Sequence, residues 1–156
     1  MDIKVKYHAQ EMPELEVIDG GDWVDVRAKS VKVNGVEREF KEGKPITYSA
    51  GDVVMVDLGV SIELPEGHEA ILAPRSSTFK NFGLIQTNGF GVIDESYCGD
   101  NDVWKQMFYA LRPGKINRFD RVGQFKVQEK MKDIKFKKVK KLGNKNRGGF
   151  GSTGVK

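Results

Sequence analysis

Short runs of alternating apolar and polar residues dominate this chain. Ile3-Lys4-Val5-Lys6-Tyr7 alternates with period two and predicts a half-buried strand. Residues 19–28 begin in a glycine turn and run into a second strand, where Val24 and Val26 share one face and Asp25 points to the other. Residues 31–39 form the clearest hairpin, with Asn34-Gly35 at the centre of two alternating segments, the pairing that suits a type I′ turn. Residues 41–51, carrying Gly43, Pro45 and Gly51, read as a polar connection. Further strands are predicted over 53–58, 60–64, 68–73, 84–87, 90–93, 103–111, 122–127 and 134–139. Pro74-Arg75-Ser76-Ser77-Thr78 interrupts them, and Ser76 or Ser77 is placed to cap a short helix through Asn81. No stretch of ten residues keeps a 3.6-residue apolar period. Many short strands punctuated by turn signals predict an all-β sandwich or barrel in one domain. Residues 147–154 hold too much glycine for either element, so a mobile C-terminal arm is expected after the domain.

Composition narrows this picture. The chain has 156 residues, 38% of them hydrophobic and 31% charged, which fits one folded domain with a moderate core. No apolar run approaches the roughly 18 to 20 residues of a membrane span, and the N-terminus has no signal-peptide pattern. Cys98 is the single cysteine, so an internal disulfide framework is excluded and a reducing cytoplasm is expected. His8 and His68 lie far from Cys98 in sequence, and nothing marks either as its partner for nucleophilic catalysis. The net charge is +4, and residues 130–147 carry most of the excess. A nucleic-acid footprint is one reading of that run. A solvated last strand feeding a basic tail is the preferred one.

Candidate chemistry centres on residues 88–99, Asn-Gly-Phe-Gly-Val-Ile-Asp-Glu-Ser-Tyr-Cys-Gly. Val92 and Ile93 supply a short rigid strand, and Asp94 sits directly after it, beside glycines and the ring of Tyr97. A carboxylate so held suits a general base facing a small planar ligand; an ordinary hairpin turn uses the same residue types. Arg75-Ser76-Ser77 offers a guanidinium, hydroxyls and free N–H groups for phosphate oxygens. Asp120-Arg121-Val122-Gly123-Gln124 sets Arg121 and Gln124 near a strand end where they reach an anion, and Asp25 is a candidate oxygen ligand for a metal, directly or through water. Residues 148–153 combine glycine amides, the Phe150 ring and hydroxyls, which suits phosphate wrapping and base stacking. No Walker pattern, zinc-ligand spacing or Ser-His-Asp arrangement is present. Together these features point to a nucleotide.

The same stretches resemble, in order, the five motifs of the trimeric dUTP pyrophosphatases (dUTPases): residues 21–28, 74–77, 91–99, 120–124 and 148–154. The resemblance implies a distorted jelly-roll domain over 1–142, a closing arm over 143–156, and a homotrimer whose three active sites are shared between subunits. It implies hydrolysis of dUTP to dUMP and pyrophosphate with Mg²⁺. Asp94 would be the base that activates water for attack at the α-phosphorus. Asn88, Val92 and Ile93 would read uracil, while Tyr97 would pack under the deoxyribose and exclude a 2′-OH. Arg75, Ser76, Ser77 and Gln124 would serve the phosphates, Lys105 would lie near the substrate, and Asp25 would hold the metal through water. Phe150, with Gly151 and Ser152, would close the arm over uracil. Two departures stand out. Trp23-Val24 lengthens the first motif, and Lys145-Asn146-Arg147 leaves open whether Lys145 or Arg147 reaches the γ-phosphate. A dCTP deaminase on the same fold, and a regulatory protein that uses the site as a ligand-gated switch toward a protein partner, stay open as alternatives. Nucleic acid and membrane are not expected partners.

Overall fold

The computed structural model describes residues 1–156 and contains thirteen strands and one short helix. In chain order these are β1 (Lys4–Tyr7), β2 (Val24–Arg27), β3 (Ser30–Val33), β4 (Val36–Arg38), β5 (Ile46–Tyr48), β6 (Val53–Asp57), β7 (Val60–Glu63), β8 (His68–Pro74), α1 (Thr78–Phe82), β9 (Leu84–Gln86), β10 (Gly91–Ile93), β11 (Lys105–Ala110), β12 (Gly114–Ile116) and β13 (Arg121–Glu129). A four-stranded sheet runs β10-β8-β13-β2, and a five-stranded sheet runs β4-β3-β6-β11-β9. Two antiparallel pairs, β1-β7 and β12-β5, complete the architecture. All pairings are antiparallel; the all-β class expected from the alternation is the fold observed, and it agrees with the jelly roll that the resemblance implies.

The alternation decides which faces meet. On β11, Gln106, Phe108 and Ala110 point inward while Lys105, Met107 and Tyr109 point out; on β6, Val54 and Val56 point inward. The core joins these to Leu58, Ile62 and Leu72 and to Trp104, whose ring meets Phe125 edge-on at 5.0 Å and 79°. Burying aromatic pairs of this kind contributes about 0.5–1.5 kcal/mol beyond area alone. The Asn34-Gly35 hairpin forms as the local sequence requires, with φ of 51° and 79° at the two turn residues and Val33 opposite Val36.

Two expectations are corrected. Residues 41–51 are more than a polar connection: Ile46 and Tyr48 are buried in β5, which pairs with β12 directly after the Arg112-Pro113 break. Gly114 permits that pairing, because a Cβ there would lie 2.6 Å from the Tyr48 hydroxyl and 2.7 Å from the Phe82 carbonyl. Residues 134–139, predicted as a final strand, pair with nothing within the chain, and Phe136 is fully exposed. Lys130 marks the last point of attachment: its N–H donates to the Gly67 carbonyl at 2.9 Å, and beyond it the backbone makes only local turns near residues 149–154. The basic excess of this segment is therefore solvated.

Candidate active site

The strand–turn that carries Asp94 is built on β8. Register sets Gly91 opposite Leu72 and Ile93 opposite Ala70, so β10 delivers Asp94 at the His68 end of β8. The following turn closes through Tyr97 N–H donating to the Asp94 carbonyl at 3.0 Å. Tyr97 donates its own hydroxyl to the Val103 carbonyl at 3.1 Å, which fixes the plane of its ring, and partial burial pushes its phenol pKa up. A cleft of about 240 Å³ results, lined by Val92, Ile93, Asp94, Tyr97, Val103, Trp104 and Lys105. Five sequence-predicted residues, Asp94, Val92, Ile93, Tyr97 and Lys105, thus share one concavity. Asp94 is exposed and enters none of the ion pairs of the chain.

Glu95 faces the other way and was not singled out from sequence. Its carboxylate accepts from Gly67 N–H at 3.1 Å and pairs with Lys130 Nζ at 2.5 Å. The Lys130 hydrogen bond holds its pKa below the usual carboxylate range. This ties the Asp94 turn to the β7–β8 turn and to the root of the C-terminal segment.

A second cluster forms at the opposite end of β8. Asp25, on β2, accepts from Arg75 Nε at 2.9 Å with one oxygen and from Arg121 at 3.2 Å with the other. Its side chain is only 16% exposed, so the prediction that it faces away from the valines holds, but its environment is two guanidiniums and not open water. Gln124 stands opposite both Asp25 and Ala73 and donates to the Pro74 carbonyl at 3.2 Å. Ser77 occupies the N-cap of α1 without a side-chain capping bond; Thr78 does the local work instead, accepting from Arg75 N–H at 2.8 Å and donating to the Val122 carbonyl at 3.1 Å. Ser76 and Ser77 keep their hydroxyls free of that role. Arg121 is the member the sequence signalled only weakly, through its place in the fourth motif.

These two clusters do not meet within one chain. Ala70, opposite Ile93, and Arg75 are five residues apart along β8, roughly 16 Å at about 3.3 Å per residue. No residue of the Asp25 cluster lines either cleft beside Asp94. The remaining predicted residues are fully exposed on the tail: Arg147, Phe150, Gly151 and Ser152, together with Lys145. Asn88 lies at the tip of the β9–β10 hairpin, exposed, with its Oδ1 accepting from Gln86 Nε2 at 3.1 Å.

No group of three or more His, Cys, Asp or Glu side chains is gathered to hold a metal ion. Asp25 is a single carboxylate with Arg75 and Arg121 beside it, so a hard cation here would need most of its oxygen ligands from phosphates and waters.

The strand ends of this β protein display one free carboxylate in a small aromatic cleft and one guanidinium cluster, a donor set suited to an anionic ligand with a planar group. Comparison with known proteins gives the family. The dUTPase family profile matches residues 41–154. The chain is 46% identical, over the full length of both proteins, to the SPbeta prophage-derived deoxyuridine 5′-triphosphate nucleotidohydrolase YosS of Bacillus subtilis (strain 168). Its fold is similar to a Staphylococcus bacteriophage 80alpha dUTPase solved with dUpNHpp, with a TM-score of 0.71, 16% identity and 99% coverage of each chain. It is likewise similar to the dUTPase of phage phi11 of S. aureus, described as coordinating a structural Mg(II) ion, with a TM-score of 0.70 and 13% identity over 91% of this chain and 99% of that one. The chain belongs to the dUTPase family.

Proposed function

We propose that this protein hydrolyses dUTP to dUMP and pyrophosphate, with the Asp94 cleft as the base and sugar site. The carrying observation is the gathering of Asp94, Tyr97, Val92, Ile93 and Lys105 around one cleft of nucleoside dimensions. Asp94, unpaired and at a rigid strand end, orients and deprotonates the water that attacks the α-phosphorus. The Tyr97 ring, fixed by its bond to Val103, lies against the deoxyribose and leaves no space for a 2′-OH. The hairpin backbone at Val92 and Ile93, with Asn88, reads the base. Arg75, Ser76, Ser77 and Gln124 take the phosphates, where positioning and charge neutralisation dominate the chemistry. Mg²⁺ would be held by the substrate's phosphate oxygens and, through water, by Asp25; it supplies charge neutralisation on the triphosphate. Residues 143–156 act as an arm that closes with Phe150 over uracil, bringing Gly151, Ser152 and either Lys145 or Arg147 to the phosphates.

The distance between the two clusters supports a homotrimer in which one subunit's Asp94 works with another's Arg75. So does the outer face of the five-stranded sheet, where Met107 lies opposite Met55 and Tyr109 opposite Val53 and Ile85, an apolar surface that a neighbouring subunit would cover. No helix is long and apolar enough to cross a membrane, and the exposed single thiol of Cys98 suits a reducing cytoplasm.

Pyrophosphate release from dUTP, dTTP, dCTP and UTP, with Mg²⁺ and with chelator, tests this reading. Metal-dependent release from dUTP alone is expected. Ammonia release from dCTP would establish the deaminase instead, and inertness toward all four nucleotides would favour the ligand-gated partner-binding reading.

A further inference from the structure

Two glutamines occupy inward positions where the strand alternation calls for apolar residues. Gln86 is 4% exposed and Gln106 1%. Gln86 stands opposite Phe108 across β9 and β11, which makes Gln106 its diagonal neighbour on the same inner face. Both reach from the five-stranded sheet to backbone carbonyls of β8 in the other sheet. Gln106 Nε2 donates to the Ala73 carbonyl at 3.2 Å and to Gln86 Oε1 at 2.9 Å. Gln86 Nε2 in turn donates to the Leu72 carbonyl at 3.2 Å and to Asn88 Oδ1 at 3.1 Å.

The direction of this chain is forced. A backbone carbonyl only accepts, so Leu72 and Ala73 require an amino group from each glutamine. Turning Gln86 over would set its Oε1 against the Leu72 carbonyl and its Nε2 against the Gln106 amino group, two acceptors together and two donors together. Turning Asn88 over would set its amino group against that of Gln86. At such depth an unmatched polar group is costly, so the polarity fixed at β8 propagates outward to the hairpin tip.

We infer that Gln86 and Gln106 are positioning residues for base selection, holding the Asn88 side chain with Nδ2 outward so that it donates to a base carbonyl and rejects a base amino group. A uracil-type edge satisfies that amino group; the exocyclic amine of cytosine opposes it. The inference rests on the reading of Asn88 as a base-contacting residue. Two further observations fit it. Gln106 Oε1 is buried with no hydrogen-bond partner, a stability cost that a leucine at this position would not carry. Gly123 makes the room, since a Cβ there would come within 2.1 Å of Gln106 Oε1.

Equilibrium binding of dUMP and dCMP to the full-length protein tests the relay, with circular dichroism confirming the fold of each variant. Wild type is expected to prefer dUMP. Gln86→Leu should cut that preference about tenfold, the loss of one oriented hydrogen bond, by strengthening dCMP relative to dUMP. Gln106→Leu should cut it less, with some loss of thermal stability because Gln86 Oε1 loses its donor, and carries the test if Gln86→Leu does not fold. An Asn88→Ala variant separates the two ideas. If Asn88→Ala loses the preference while the glutamine variants keep it, base reading stands and the relay is overturned. If Asn88→Ala keeps the preference, or wild type has none, Asn88 does not select the base and both fall. Equal weakening of both nucleotides in the glutamine variants would mark them as structural only.

Discussion

Asp94 and Asp25 are the two carboxylates at the ends of one scaffold, and the chain treats them oppositely. Asp94 follows a three-residue strand, is exposed to solvent and is left without an ionic partner. Asp25 sits in mid-strand, 16% exposed, with each oxygen on a different guanidinium. The first arrangement preserves a basic lone pair for a proton. The second uses one hydrogen bond on each oxygen to hold two arginines in place. In the proposed reaction the first carboxylate would react and the second would position. The register sets Asp94 just beyond the Ala70 level of β8 and Asp25 at the Ala73 level, on the far side of β13; in the proposed trimer a triphosphate would meet the second carboxylate on another copy of the chain.

Mixing experiments probe that separation most severely. Asp94→Asn should lower kcat by about 10²–10⁴-fold, the usual range for a lost general base, while nucleotide binding persists. Arg75→Ala should be nearly inactive through lost phosphate contacts. Unfolding and refolding the two inactive variants together should restore activity, because about a quarter of randomly mixed interfaces would join an intact Asp94 to an intact Arg75. No recovery would show that each chain uses its own pair, and the division between the two ends of β8 would lose its functional meaning.

Stability measurements sharpen the contrast further. Asp25→Asn removes the charge that two guanidiniums face in a half-buried setting and should cost about 1–3 kcal/mol of unfolding free energy in urea. Asp94→Asn should stay within about 0.5 kcal/mol of wild type, as for an exposed residue with no partner. Comparable losses in both variants would erase the distinction.

The smallest effect concerns a buried group remote from either carboxylate. Tyr48 donates its hydroxyl to the Phe82 carbonyl at 2.6 Å, and burial pushes its pKa up to about 12 from 10.0. A raised folded pKa favours the neutral phenol in the native state. Its contribution is therefore complete below pH 10 and is lost as pH rises from 10 to about 12. Urea titrations across that window should show stability falling in wild type, with a shallower fall in Tyr48→Phe, which has no proton to lose.

What could be read from the sequence was what short-range physics controls. Asn34-Gly35 must take positive φ at both residues, so the hairpin could form in only one way. Asp94 directly follows two β-branched residues and precedes a turn, so its place at a strand end was legible. Residues 46–48 were not, because Ile46 and Tyr48 become a strand only through pairing with residues 114–116, some seventy positions on. Residues 134–139 show the converse: Ile134 and Phe136 alternate with lysines as a strand should, yet no strand in the chain lies beside them. Backbone hydrogen bonds of a sheet belong to pairs, and a pattern cannot name its partner. Gln86 and Gln106 were equally silent, since only tertiary contact shows two inward amides meeting across the core.

The sequence by itself determined the all-β class, the local turns, the order of the motifs and the residue types that carry the chemistry. All of these depend on side-chain alternation and φ preferences acting over a few positions. Tertiary structure alone decided which motif residues share a cleft, that Asp25 is held by Arg75 and Arg121, that the register sets the two carboxylates apart, and which way the Asn88 amide points. Those facts come from register and packing between segments distant in the chain, where a shift of one residue moves a side chain to the other face of its sheet.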